Sequence, residues 1–238
     1  MTTPDPAGGI EPGGVEPGGF EPDGTAPGGV EPMLDHLVYG TPDLARTIAE
    51  FTVRTGITPA VGGRHLGRGT RNMLVGLGPT AYLEIIGLDL EHPADPGNTP
   101  PFGLADLTAP RLITWAVHPP DPESTVSDAA VAGVDLGPLR QMSRRTPTGD
   151  LLAWRLAVAE PAPFGGVLPF VIDWGSTVHP ARNPDLPQAA LRSLTATHPD
   201  QAGLTRALRA MRVRLAVADG PAALIAVLDT TRGRFTLS

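Results

Sequence analysis

Two short apolar runs, about fifty residues apart, show the clearest hydrophobic pattern in the chain. They are residues 34–39, LDHLVY, and residues 82–87, YLEIIG. Both are rich in residues that favour β-structure and both are closed by glycine, so each is predicted to be a strand. Apolar residues occur at both alternating sets of positions, so we expect both faces of each strand to be covered. His36 and Glu84 lie within these runs, where a buried charge needs a partner. A shared metal ion and a direct His–Glu hydrogen bond would each supply one, and the spacing leaves both open.

A helical pattern follows the first strand. Residues 41–43, Thr-Pro-Asp, combine an N-cap hydroxyl at Thr41, proline in the first turn and a carboxylate near the positive helix end. Apolar side chains then recur at helical spacing, at Leu44, Ile48 and Phe51. Gly56 is a typical helix stop, so the pattern predicts a helix between residues 43 and 56.

The residues after this helix complete a βαβββ unit. Residues 62–69, GGRHLGRG, are predicted to be a glycine-rich loop. Two strands follow, at about 70–77 and 80–86, with Gly-Pro turning between them. We expect the unit to be a strand, a helix and then three strands, of which the pattern locates two.

The same pattern occurs three times. Leu34, Leu112 and Leu191 each lie eight residues before a Pro-Asp pair, and each pair is predicted to open a helix. Further strand-like runs follow the second and third helices, at 151–158, 168–174, 213–218, 222–228 and 235–237. Equal spacing at three sites indicates an internal repeat. The segments 89–110 and 176–190 are predicted to be linkers.

The N-terminal segment has a different composition. From residue 8 it repeats Gly-Gly-X-Glu-Pro, with one degenerate copy. Proline at every fifth position prevents helix and removes donors from a sheet ladder, so residues 1–32 are predicted to be a disordered acidic tail. Its recurring apolar residues belong either to a solvated spacer or to a motif bound by a partner.

The composition excludes several classes of partner, site and cofactor. The 238 residues carry a net charge of −7, and all 18 basic residues are arginine, which argues against nucleic-acid or anionic-membrane partners. Cysteine is absent, which excludes a disulfide framework, a thiol nucleophile and a zinc–thiolate site. No apolar run is long enough for a membrane span and no secretory signal is present, so we expect a cytoplasmic protein. The glycine-rich segment lacks a phosphate-binding lysine, so no nucleotide-type cofactor is expected.

A βαβββ unit with Leu-Asp-His-Leu-Val in its first strand and Tyr-Leu-Glu-Ile-Ile in its last resembles the vicinal oxygen chelate superfamily. This superfamily includes glyoxalase I, extradiol dioxygenases and bleomycin- and fosfomycin-resistance proteins. The resemblance is to its glyoxalase-like domain branch, through residues 62–65, 69–72 and 170–175. It covers roughly residues 33–182 and implies an α+β fold. Two modules, at about 33–88 and 110–175, would pair so that their sheets curl into a cup. Residues 190–238 would add a third, βαβββ-like unit that packs beside the cup or mediates a homodimer.

The resemblance also implies a divalent metal, held by a first-strand His and a last-strand Glu. These are His36 and Glu84, and Glu84 would double as a base. Imidazole and carboxylate suit Zn, Mn, Fe(II) or Ni, so the two residues do not select the metal. The second and third units have Thr114 and Ser193 at the position of His36, and neither is a usual ligand. Further candidate ligands are His65, Asp173 and His179.

Several polar and aromatic residues are candidates for binding a small-molecule ligand. Arg64, Arg68 and Arg71, with Asn72, favour either an anionic substrate or a merely soluble loop. Flat apolar surface would come from Tyr82, Trp115 and Trp174, unless these residues pack in the core. Two functions remain open. One is metal-dependent lyase, isomerase or dioxygenase-type chemistry, and the other is metal-free binding or sequestration of a small molecule, as in a resistance protein.

Overall fold

The computed structural model describes Met1, Glu31, residues 33–146 and residues 148–238. The predicted tail, residues 1–32, lies outside the described residues except at Met1 and Glu31. The elements within the described residues are β1 (Leu34–Thr41), α1 (Leu44–Thr55), β2 (Ala60–His65), β3 (Thr70–Gly76), β4 (Tyr82–Leu88), β5 (Arg111–Val117), α2 (Pro122–Val131), β6 (Arg140–Arg145), β7 (Leu151–Ala157), β8 (Phe170–Asp173), β9 (Ala190–Thr197), α3 (Gln201–Ala210), β10 (Ala216–Ala218), β11 (Ala223–Thr230) and β12 (Gly233–Leu237). None of these helices is long and apolar enough to cross a membrane.

The first eight strands form a closed barrel in the order β1-β4-β3-β2-β6-β7-β8-β5. Each half is a βαβββ module in which the first strand pairs in parallel with the last, β1 with β4 and β5 with β8. The two halves are joined by antiparallel pairing of β1 with β5 and of β2 with β6. This confirms the predicted α+β fold, in which two modules curl into one cup.

The three α-helices begin at the aspartates of the three Pro-Asp pairs. The side chains of Asp43, Asp121 and Asp200 each accept a hydrogen bond from a backbone N–H three residues later, at 3.0, 2.9 and 2.8 Å. Thr41, the predicted N-cap of the first helix, is instead the last residue of β1. The predicted helix starts are therefore confirmed, with the cap two residues later in the first copy.

Two strands were not predicted. Residues 62–65, predicted to be part of a loop, belong to β2, where glycine is tolerated because a bulge separates Val61 from Gly63. The sequence of β6, RQMSRR, has a single apolar residue, yet it pairs along its whole length with β7. Both strands lie where the two halves of the barrel meet.

The last four strands form a separate sheet in the order β10-β9-β11-β12. The predicted order of elements, βαβββ, is present, but the pairing differs from that of the barrel modules. Here the first strand, β9, lies inside the sheet, parallel to β10 and antiparallel to β11. This sheet packs on the barrel and its helices, with Phe235 of β12 edge-on to Phe51 of α1 at a ring distance of 5.5 Å.

Candidate functional site

The barrel contains a cavity of about 110 Å³. Its apolar wall comes mainly from β7 and β8 and includes Trp154, Phe170 and Ile172. The opposite wall, from β1 to β4, presents His36, Glu84 and other polar side chains. An apolar enclosure with a few convergent polar groups is typical of small-molecule sites.

His36 points into this cavity with its ring fixed by its chain neighbour. Nδ1 of His36 lies 2.6 Å from Oδ1 of Asp35, and both side chains are buried. An ionised carboxylate only accepts hydrogen bonds, so Nδ1 carries the proton that is shared with Asp35. The other nitrogen, Nε2, then faces Oε2 of Glu84 at 3.7 Å.

Asp35 also ties His36 to the end of the second module. Its Oδ2 accepts a hydrogen bond from Nε1 of Trp174 at 2.9 Å and lies 3.0 Å from Nε2 of His179. Burial alone would raise the pKa of Asp35, but the hydrogen bonds from His179 and His36 outweigh it and hold the pKa well below its ordinary value. Asp35 is therefore an ionised acceptor. Nothing in the hydrophobic pattern or the motifs had singled it out.

Glu84 lies between two imidazoles and an amide. Nδ2 of Asn72 donates to its Oε1 at 2.5 Å, a geometry that suits an ionised carboxylate. Nε2 of His65 lies 3.7 Å from the same Oε1. Nδ1 of His65 is 2.9 Å from Oγ1 of Thr70, and burial lowers the pKa of this histidine, which favours neutral imidazole.

The distances allow each histidine to share an ion with Glu84. Zinc lies about 2.0–2.1 Å from nitrogen ligands and about 2.0–2.2 Å from oxygen ligands, so a nitrogen and an oxygen that bind one ion are at most about 4.3 Å apart. Both His–Glu distances, 3.7 Å, meet this limit. Among the described residues, the only three His, Cys, Asp or Glu side chains with ligand atoms all within 4.8 Å are Asp89, Glu91 and His92, outside this cavity. The distances therefore allow Glu84 and one histidine to bind the same divalent ion, which would need further ligands to complete its coordination.

The second module lacks the corresponding pair. Thr114 lies two residues before Ala116 of β5, as His36 lies two residues before Val38 of β1. Val38 is opposite Glu84, whereas Ala116 is opposite Phe170. Phe170 therefore stands where a second carboxylate would be expected.

The predicted substrate-binding residues divide between the cavity and the outside. Tyr82, Asn72, Arg68 and Trp174 line the cavity together with His36, His65 and Glu84. Arg64 instead pairs with Glu91, at 2.6 Å, and with Asp89, at 3.4 Å. Arg71 lines a separate groove beside α1.

The remaining two candidates also lie away from the cavity. Trp115 is fully buried in the core behind the barrel wall and donates from Nε1 to the carbonyl of Val167 at 2.7 Å. Asp173 pairs with Arg155, whose Nε lies 2.8 Å from its Oδ2, and accepts from the backbone of Gly175.

Strand β6 supplies cavity residues that the sequence pattern did not reveal. Arg140, Met142 and Arg144 alternate along β6 and all line the cavity. Arg144 is only 5% exposed and donates to the carbonyl oxygen of Gly62 in β2. Burial lowers the pKa of Arg144 from its ordinary value. RQMSRR has a single apolar residue, so it has no hydrophobic alternation from which a strand or its inward face could be recognised.

The sequence matches the model of one protein family, and the fold is similar to solved structures. The sequence model of a family described as a glyoxalase-like domain matches residues 34–211. A search of curated proteins gave no match. A hypothetical protein from Staphylococcus aureus has 15% identity and a TM-score of 0.55, covering 85% of this chain and 84% of that one. Methylmalonyl-CoA epimerase from Mycobacterium tuberculosis has 19% identity and a TM-score of 0.38, covering 60% and 87%. A mutant of 4-hydroxymandelate synthase from Streptomyces coelicolor has 16% identity and a TM-score of 0.41, covering 86% and 61%.

Proposed function

The chain belongs to the glyoxalase-like domain family of the vicinal oxygen chelate superfamily, and from this premise we propose that its barrel cavity binds a small molecule and a divalent metal ion. His36 and Glu84 would hold the ion, and His65 would be the third ligand if its side chain shifts toward His36. Asn72 and Tyr82 would contact the small molecule. The reaction would be of the lyase, isomerase or dioxygenase type.

One observation carries this proposal. Asp35 holds a proton of His36 at Nδ1, so Nε2 is the ring nitrogen left to bind a cation, and it faces a carboxylate oxygen 3.7 Å away. Two acceptors that face each other in a buried site need a cation, a proton or a water molecule between them. A divalent ion satisfies both at ordinary ligand distances.

Other residues in and around the cavity would position the ligands of the ion, accept a proton and exclude water. When bound, the ion would act as a Lewis acid that stabilises negative charge on a substrate oxygen. Asp35 keeps Nε2 of His36 directed at Glu84, while Asn72 orients the Glu84 carboxylate. Glu84 is the candidate base, because its carboxylate lines the cavity beside both imidazoles and can accept a proton from the substrate. The apolar wall, with Trp154 and Phe170, would exclude water from the reacting group.

Metal-free binding or sequestration is the second candidate function. It is favoured by the second module, where Thr114 and Phe170 occupy the positions of His36 and Glu84. Only half of a two-module ligand set is then present. In this case a proton between His36 and Glu84 would replace the ion.

Elemental analysis of protein purified without chelators separates the two functions. We expect about one equivalent of Zn, Mn, Fe or Ni, and we expect His36→Ala and Glu84→Gln each to lose it while the far-ultraviolet circular dichroism spectrum is unchanged. Asp173→Asn is the matched control, since that carboxylate pairs with Arg155 away from the cavity. Protein that stays metal-free after reconstitution with all four ions would refute the metal-dependent function.

A further inference from the structure

The cavity carries more positive charge than its own carboxylates neutralise by contact. Three arginines line it: Arg68, Arg140 and Arg144. Among the described residues, none of the three has an Asp or Glu oxygen within 4.0 Å, whereas Arg64 and Arg155, which lie outside the cavity, each contact two. None of the three cavity arginines is therefore in contact with a carboxylate of the described residues.

Of the three arginines, Arg144 has the highest free-energy cost of lacking a contacting carboxylate. It is 95% buried, and among the described residues its side chain makes one hydrogen bond, to the carbonyl of Gly62. Removing a guanidinium from water is unfavourable unless a carboxylate or another anion replaces the lost hydration. A buried guanidinium without a contacting carboxylate is costly, so its position in the cavity indicates a ligand that supplies the missing negative charge.

The two glycines of β2 make room for this arrangement. A Cβ atom on Gly63 would overlap the Arg145 carbonyl and crowd Nη1 of Arg144, and the φ of Gly63, +151°, also disfavours a side chain. A Cβ atom on Gly62 would overlap the side-chain oxygen of Asn72, the residue that donates to Glu84. The Gly-Gly-Arg-His segment thus accommodates the two polar side chains that reach the cavity from β3 and β6.

We propose that the ligand of this cavity is a small carboxylic acid whose carboxylate binds the buried guanidinium of Arg144, with its apolar part against Trp154 and Phe170. This inference rests on the proposed function only in placing the ligand in the barrel. A carboxylate is preferred over a phosphate because Arg144 is the only buried one of the three cavity arginines, and one guanidinium balances one negative charge. Glu84, on the same cavity wall, would repel a second negative charge. Arg144 also presents the planar fork that matches a carboxylate.

The test uses benzoate and benzamide, which have the same shape and differ in charge. Trp154 and Trp174 line the cavity, so binding should change tryptophan fluorescence. The protein is first freed of metal with a chelator and dialysed, so that binding through an ion cannot contribute. We expect wild-type protein to bind benzoate in preference to benzamide. Arg144→Gln should weaken benzoate binding by about tenfold or more, the usual effect of losing a charge-assisted hydrogen-bonded pair.

Arg145→Gln is the matched control, because this neighbour on β6 is exposed and bonds to the Gly149 carbonyl. It should bind benzoate like the wild type. Arg144→Lys should bind more weakly than wild type but still prefer benzoate to benzamide, and it tests the proposal if Arg144→Gln does not fold. Equal binding of benzoate and benzamide, no benzoate binding by wild-type protein, or unchanged binding in the Arg144 variants would overturn the proposal. Displacement of benzoate by inorganic phosphate at lower concentration than by acetate would overturn the choice of carboxylate.

His36→Ala and Glu84→Gln separate this proposal from the proposed metal chemistry. Both variants should keep the benzoate preference in metal-free protein. Benzoate binding that depends on Arg144 in a protein that takes up no metal would refute the metal site and leave the carboxylate site standing. A metal-binding protein without any benzoate preference would refute the carboxylate site and leave the metal site standing.

Discussion

Asp35 and His36 are consecutive residues of one strand, yet both side chains are buried and they share a hydrogen bond of 2.6 Å. In a regular strand, consecutive side chains point to opposite faces. Here the pairing of β1 with β5 shifts register between Leu34 and His36. Such an irregularity re-aims side chains and allows Asp35 to reach the ring of its neighbour.

Asp35 is therefore a positioning residue for the proposed metal site. Asp35→Asn should lower the affinity for a divalent ion by about 10- to 100-fold, because a neutral amide with one accepting oxygen instead of two holds Nδ1–H of His36 less firmly and directs Nε2 at Glu84 less well. Competition with a chelator of known affinity measures this. Asp35→Glu, which keeps the charge, should recover part of the loss, while a purely structural role predicts that affinity does not follow the charge. Unchanged affinity in Asp35→Asn would refute this role.

The depressed pKa of Asp35 predicts a dependence of stability on pH. Its ordinary value is 3.8, and in the folded protein the hydrogen bonds from His179 and His36 outweigh burial and lower it. A group with a depressed pKa contributes stability that is complete above its unfolded pKa and is lost as the pH falls toward its folded pKa. The free energy of unfolding should therefore decrease as the pH is lowered below about 4. The decrease should be smaller in Asp35→Asn than in wild-type protein. Denaturant titrations at several pH values measure it, and parallel pH profiles would contradict it.

The sequence predicted the parts of the site that follow from regular periodicity. His36 and Glu84 were recognisable because each interrupts an apolar run, and both side chains enter the barrel. The aspartate caps were recognisable because Pro-Asp recurs at one spacing. In each case the local pattern and the final packing agree.

The rest of the site depends on features that are not local. Asp35 became available only through a register shift against β5. Arg64 alternates with His65 on β2 and lies outside the cavity, whereas Arg144 on the polar strand β6 lies inside. Which arginine enters the cavity is decided by strand pairing between the two modules, and neither module's sequence contains that information.

The contacts of Glu31 indicate that the part of the N-terminal segment that stabilises the fold begins at this residue. This residue, placed by the sequence pattern in the tail, is 5% exposed, and its carboxylate accepts backbone hydrogen bonds from Arg214 at 2.5 Å and Met33 at 3.1 Å. Glu31→Ala should cost about 1–3 kcal/mol of unfolding free energy, because two backbone N–H groups lose a charged acceptor. Deleting residues 1–30 should leave the melting temperature unchanged, since their composition offers little apolar area to bury. A deletion that lowers the melting temperature as much as Glu31→Ala would contradict this division.

The C-terminal sheet is predicted to stabilise the barrel through Phe235. Its ring packs edge-on to Phe51 of α1 at 5.5 Å, and the guanidinium of Arg54 lies 4.6 Å from its centre. Phe235 is 8% exposed, so Phe235→Ala should cost about 3–5 kcal/mol of unfolding free energy through lost burial and a residual cavity.

Val53→Ala on α1, the helix against which Phe235 packs, is the control for Phe235→Ala. Val53 is 67% exposed, so the control should change stability by no more than about 0.5 kcal/mol. Truncation after residue 190 removes the whole sheet and exposes the apolar faces of α1 and β5, so we expect aggregation. Denaturant unfolding of the two point variants and size-exclusion chromatography of the truncated chain test this together. A soluble, monomeric truncated protein with the stability of the wild type would show that residues 190–238 are dispensable for the barrel.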